Sequence, residues 1–228
     1  MNVDLLRLVR FTAEVALAGV AISTPFGIGL GFWLARTKSR ARSLVETVVS
    51  LPLVLPPTVV GLILLELFGR NRPIGRFLFD RLGVSVAFTW RAVVVACAVV
   101  AFPLLVRTVR ASFEQIDPRL ESLARTLGRG PLFVFFTVSL PLASRGVLAG
   151  VILAFSRALG EFGATIMVAG NIPGKTQTLS LAIFQLVQLG RDSEAYGLAA
   201  ATLVLAFGAI WLSEWLERGR RARAREAA

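Results

Sequence analysis

Five blocks of mainly apolar residues divide this chain, at 12–35, 45–68, 87–109, 144–168 and 196–216. At about 1.5 Å of rise per residue, each is long enough to cross a hydrocarbon core roughly 30 Å thick. Inside lipid, backbone amides and carbonyls have no water to bond, and long uninterrupted apolar runs satisfy them as helices. The blocks therefore predict an all-α polytopic membrane protein with five strong spans. Composition agrees, with 55% hydrophobic residues, 17% charged and a mean hydropathy of +0.71; soluble domains carry about 25% charged residues. The first block is too long for a signal-peptide core and runs into TKSRARS (37–43) without a small-residue cleavage pattern, so it reads as a retained span. A further apolar run, Thr178–Leu189, is too short to cross and contains Gln185 and Gln188. It predicts a re-entrant or interfacial helix, with a sixth span as the alternative.

The net charge of +11 would suggest nucleic acid in a soluble protein. Here the basic residues cluster at the ends of the apolar blocks, where they set orientation, and no nucleic-acid partner is expected. Segments 36–43 and 107–131 and the C-terminal tail carry 14 of them, against 8 in the N-terminus, 69–84 and 170–194. The richer side is expected to be cytoplasmic, although Arg70, Arg72, Arg76 and Arg81 count against it. That orientation puts the N-terminus outside and the basic tail, 215–228, inside. Trp33, Trp90, Trp211 and Trp215 fall near span boundaries, where amphipathic rings favour the headgroup region. Gly27-x-x-x-Gly31 and Gly146-x-x-x-Gly150 permit close helix approach. The prolines of LPLVLPPTVVG (51–61) predict a bent or broken start to the second span.

The chain has no histidine, a single cysteine at Cys97 and 14 carboxylates, most near span ends. No paired carboxylates or metal-ligand spacing occur, which argues against a membrane enzyme, a resident metal or a cofactor bound by this chain. GNIPGKT (170–176) superficially resembles a phosphate-cradling loop. It has three residues between its glycines instead of four, contains Pro173, and follows a membrane span instead of a strand, so ATP binding here is rejected.

Between the third and fourth blocks lies a polar but patterned stretch, ASFEQIDPRLESLARTLGRG (111–130). Asp117 can cap a helix with Pro118 at its first position. Leu120, Leu123, Ala124 and Leu127 then share one face, and Gly128, Gly130 and Pro131 end the helix. An exposed apolar stripe of this kind needs a partner: the membrane surface, the protein's own spans or another protein. An energy-independent channel would have no use for it.

LARTLGRGPLFVFFTVSLP (123–141) resembles the coupling motif of ABC-importer permeases. Aligned on Gly128, that motif falls on Ser122, Leu123, Ala124, Gly128, Val138, Leu140 and Pro141. Ala124, Gly128, Leu140 and Pro141 match; Ser122 replaces the motif glutamate, with Glu121 one position early. RALGEFGATIMVAGNIPGKTQTLSLAIF (157–184) resembles the corresponding segment of molybdate-type permeases, whose relatives carry tungstate and sulfate. The resemblance spans about 10–214 and implies an ABC importer type I transmembrane domain with its coupling helix at about 117–130. It further implies a homodimer, an ABC ATPase dimer that holds ATP and Mg and docks on the coupling helices, and a periplasmic or lipid-anchored binding protein delivering an oxyanion. Leu120, Glu121, Ser122, Leu123, Ala124, Leu127, Gly128, Leu140 and Pro141 become the expected ATPase-coupling residues.

Arg157 and Glu161 are four apart inside an apolar block, expensive residues there unless paired. With Gly160 and Gly163 beside them, two readings stand: the translocation path or dimer seam, or an ion pair locking one span to its neighbours. Asn171, Lys175, Thr176, Gln177 and Thr178 are expected at the external entrance or against the binding protein, or else in an ordinary polar turn.

Overall fold

The structure, a computed structural model, describes residues 5–226; the side chains of 209–210 and from 212 onward, and with them the basic-tail reading, lie outside the described residues. Every element is helical: α1 Leu5–Arg36, α2 Ala41–Val54, α3 Pro57–Phe68, α4 Pro73–Leu82, α5 Trp90–Glu114, α6 Pro118–Thr126, α7 Pro131–Val134, a π-helical turn Phe135–Ser139, α8 Leu140–Leu159, α9 Gly163–Ala169, α10 Leu179–Gln188 and α11 Asp192–Glu226.

Among the described residues, three helices are long and apolar enough to cross a membrane: α1, α5 and the continuous run Pro131–Leu159. The pair α2 and α3 makes a fourth crossing, bent by 111°. At 35 residues, α11 has ample length for a fifth. Trp33 and Trp90 are exposed at the ends of α1 and α5, and Trp211 is exposed midway along α11; the Trp215 side chain lies outside the described residues.

The prolines at 51–61 break the second span, as expected: consecutive Pro56 and Pro57 remove two amide donors and turn the chain between α2 and α3. One expected span needs correction: the block 144–168 is not one helix. Its helix starts earlier, at Pro131, and stops at Leu159, and residues 160–162 separate it from α9. In sequence, Pro141 and Arg145 interrupt this apolar run and hide its continuity.

The frame consists of α1, α5 and α8 packed against one another. Small residues allow it. A Cβ on Gly27 would sit 2.6 Å from Leu105 Cδ2, and one on Gly31 2.7 Å from Val109 Cγ1. On α8, a Cβ on Gly146 would overlap Ser112 Oγ. Without a hydrophobic driving force in lipid, such close backbone approach supplies the packing that holds helices together.

At the α3–α9 contact the nearest atom to Gly61 is backbone. A Cβ on Gly61 would lie 2.6 Å from the Ala164 carbonyl oxygen, and one on Gly163 2.7 Å from Pro57 Cβ. Backbone cannot yield as a flexible side chain does. Gly61→Ala is therefore expected to destabilise the chain by about 1–3 kcal/mol, whereas Gly29→Ala, with nothing near its would-be Cβ, is neutral. Thermal unfolding of the two purified variants in one detergent checks this pair.

The ten-residue α10 is too short to cross, as expected; it buries Leu179, Ala182 and Leu186 against α11 and the start of α1 and leaves Phe184 and Val187 exposed. Its first amide would be an orphan donor in an apolar setting. Thr12 of α1 solves this: its Oγ1 accepts from Leu179 N at 3.0 Å while donating to Leu8 O at 2.8 Å.

Candidate functional site: a docking helix and a broken-helix centre

Two contacts fix which features share an end of the bundle. Arg36, the last residue of α1, bonds Glu121 of α6; Arg7, near the first, donates to Gly174 O at 3.3 Å. The α6 end and the 170–178 loop thus lie at opposite ends of α1.

The helix expected at 117–130 is α6 with its caps. Asp117 accepts from Arg119 N at 2.9 Å, Pro118 occupies the first turn, and Gly128 takes the left-handed φ of 78° that ends it. Leu120, Leu123 and Leu127 are exposed, the last two at 62% and 80%, with Ser122 and Gly128 exposed beside them. Ala124 is half-buried. Pro141 is exposed and Leu140 half-buried, both a few residues along the helix that follows. On an otherwise polar nine-residue helix, the leucines form an apolar stripe that none of the described residues covers.

Glu121 does not belong to that outward face. It is 5% exposed and turned into the bundle. Its carboxylate accepts from Arg36 Nε at 3.0 and 3.2 Å and Nη2 at 2.7 Å, and from Ser139 Oγ at 2.9 Å. Spacing alone could not reveal this, since Arg36 is 85 residues away and Ser139 sits in a π-helical turn that shifts the register of the helix. Farther along the same end, Arg42 and Arg110 both bond Glu114, and Arg110 also pairs with Glu46, tying α2 to α5.

The charged pair lies at the break between α8 and α9. Arg157 Nη1 reaches Glu161 Oε2 at 3.1 Å. The two do not share a helix, however. Glu161 stands in the connecting turn, where its other oxygen accepts from Ala164 N at 2.7 Å and caps α9. The side chains are unequal in exposure, 33% for Arg157 against 1% for Glu161. The carboxylate is fully engaged, and the guanidinium keeps an open face.

Gly163 seats against Pro57 of this same chain, so the thin stretch there receives α3; Gly160 has open space around it. The break in α8–α9 thus packs on the break in α2–α3. Discontinuous helices that meet at membrane depth are where transporters place ion and substrate contacts. Ser156 Oγ and Thr165 Oγ1, either side of the pair in sequence, are buried without a hydrogen-bond partner among the described residues. Cys97 Sγ lies 3.7 Å from Ala158 O, a carbonyl near the break.

The expected entrance residues separate into different kinds. Lys175 is exposed. Thr176 and Thr178 are buried, at 0% and 3%, and do not line a surface. Thr176 Oγ1 accepts from Ile172 N at 3.0 Å and donates to Gly170 O at 3.2 Å, closing the turn. Asn171 and Gln177 are half-buried, and their amides donate to Gln185 Oε1 at 3.2 and 2.6 Å. This loop is a compact plug held onto α10, which its polar composition did not disclose.

A bundle of long apolar helices with two discontinuous spans, an arginine–glutamate pair at a helix break and an uncovered amphipathic helix is that of a polytopic membrane permease. Residues 27–222 match the family model described as "Binding-protein-dependent transport system inner membrane component", and the chain belongs to that family. It is 46% identical over 217 residues, 95% of each chain, to the molybdenum transport system permease protein ModB of Escherichia coli K12. It is 44% identical to the Haemophilus influenzae protein of that name, over 92% of each. The sulfate transport system permease protein CysT of Salmonella typhimurium is 38% identical over 89% of this chain and 72% of that one. The MetNI methionine ABC transporter shares the fold at a TM-score of 0.73 and 17% identity, covering 94% and 95% of the two chains. A bacterial alginate ABC transporter does so at 0.75 and 16%, covering 96% and 80%. The fold is that of an ABC importer transmembrane domain.

Proposed function

We propose that this chain is the membrane-spanning subunit of an ATP-driven molybdate importer. The substrate assignment is carried by the 46% identity to a molybdenum transport permease across 95% of both chains, against 38% to a sulfate permease. The energy source is carried by the uncovered leucine stripe of α6.

Two copies surround a central path, with the α6 end cytoplasmic and the 170–178 loop outside. An ABC ATPase dimer, which holds ATP and Mg, docks on Leu120, Leu123 and Leu127. A periplasmic or lipid-anchored binding protein delivers the oxyanion to the opposite face. ATP binding favours one arrangement of the ATPases, hydrolysis and release the other, and the permease alternates its opening because the two arrangements differ in affinity for nucleotide.

In the path, Arg157 offers the anion a cationic face in a low-dielectric setting. Glu161 neutralises part of that charge, so the anion is attracted without being trapped; conduction requires binding weak enough to release. Ser156 and Thr165 hydroxyls are the neutral donors nearest in sequence.

The test is uptake of labelled molybdate into proteoliposomes holding permease, ATPase and binding protein. ATP-dependent accumulation that tungstate competes more strongly than sulfate is expected. Accumulation without ATP, or preferential uptake of sulfate, would overturn the reading.

A further inference from the structure

We infer that Arg36, Glu121 and Ser139 form the joint through which motion of α6 enters the membrane bundle. The inference rests on the ATP-coupled reading above and goes beyond it by naming the residues that transmit the stroke.

The packing of α6 is thin. It touches chiefly α7 and the π-helical turn that follow it in sequence, and its apolar side chains point outward. Its one buried side chain is Glu121. That carboxylate is held by the forked guanidinium of Arg36 from α1 and by the Ser139 hydroxyl from the π-helical turn that leads into α8. A bidentate Arg–carboxylate pair resists both separation and rotation, unlike a single point contact. Its burial shields it from the salt and water that weaken surface pairs.

Beneath the joint the three segments converge on aromatic rings. Arg36 lies over the Phe32 ring at 5.9 Å, and Phe32 meets Phe113 of α5 edge-on at 5.1 Å and Phe135 of the π turn at 4.9 Å. Phe113 is fully buried. A displacement of α6 therefore acts on α1 through charge, on α8 through Ser139, and on α5 through the rings. The α1–α5–α8 frame therefore moves with α6. Glu121 is thus a positioning residue that acts through Arg36 and Ser139, and docking belongs to the leucines.

The test compares Glu121→Gln and the charge-exchange pair Arg36→Glu with Glu121→Arg, each in the complete complex with ATPase and binding protein. One readout is molybdate accumulated per ATP hydrolysed. A second, independent of substrate, is the nucleotide-driven change in spin-label distance between the two copies at Ser122 in α6 and at Lys38 beyond α1. In the parent complex both label pairs are expected to shift together. Glu121→Gln is expected to cut uptake per ATP about fivefold and to leave the Lys38 pair lagging behind the Ser122 pair. The exchange should restore both. Unchanged coupling in Glu121→Gln, failure of the exchange to restore it, or loss of the ATPase from the complex would each overturn the joint. A parent complex whose label pairs shift without molybdate uptake sinks the substrate assignment alone, and the distances still decide the joint.

Discussion

Arg157→Ala is expected to reduce the amount of folded permease in the membrane by an order of magnitude or more, whereas Glu161→Gln leaves assembly close to normal. The difference follows from unequal burial. Removing Arg157 strands a carboxylate that is 1% exposed, with one oxygen left on the Ala164 amide and the other without a partner. Breaking a buried pair this way costs about 3–5 kcal/mol, much of a typical folding free energy. Glu161→Gln keeps an oxygen for the Ala164 amide and leaves behind an arginine that is 33% exposed and able to find water. That variant isolates the path. With the guanidinium no longer neutralised, the anion is held too tightly, and molybdate uptake falls while the protein still assembles. Immunoblots of membranes paired with uptake assays separate the two effects. Equal folded amounts of both variants would mean that the pair does not carry the burden assigned to it.

The second large effect concerns the docking face. Substituting Leu123 and Leu127 together by glutamate is expected to release the ATPase while leaving the permease folded. Both side chains are already exposed in the free chain, so the fold loses little. Covering one leucine contributes about 1.5–3 kcal/mol, and two lost together weaken docking by about 100-fold or more. The helix itself survives, because its Asp117 cap and Pro118 start are untouched. Co-purification of ATPase with tagged permease measures the loss. Full retention of the ATPase would place the docking face elsewhere.

Much of this was legible in the sequence, for identifiable reasons. α1 and α5 could be read because a bilayer sets a length that apolar runs must meet. α6 could be read because its cap, proline start and terminal glycine follow local rules that need no tertiary partner. What escaped was long-range. Glu121 looked like part of an outward coupling face because helical spacing says nothing about an arginine at position 36. Thr176 and Thr178 looked like an external turn, since threonine is common there, yet Thr176 closes its own loop from inside and Thr178 is buried with it. The interruption at 160–162 was signposted by Gly160 and Gly163, but glycines are also frequent in intact membrane helices, and only the meeting with Pro57 tells the cases apart.

Cys97 is buried, so the native chain gives a quiet background for thiol chemistry. The decisive measurement is therefore cross-linking of Leu127→Cys in sealed cells that contain the ATPase. The account predicts a cross-link to the ATPase and no labelling by a membrane-impermeant thiol reagent added outside. Labelling from outside, with no ATPase adduct, would contradict it.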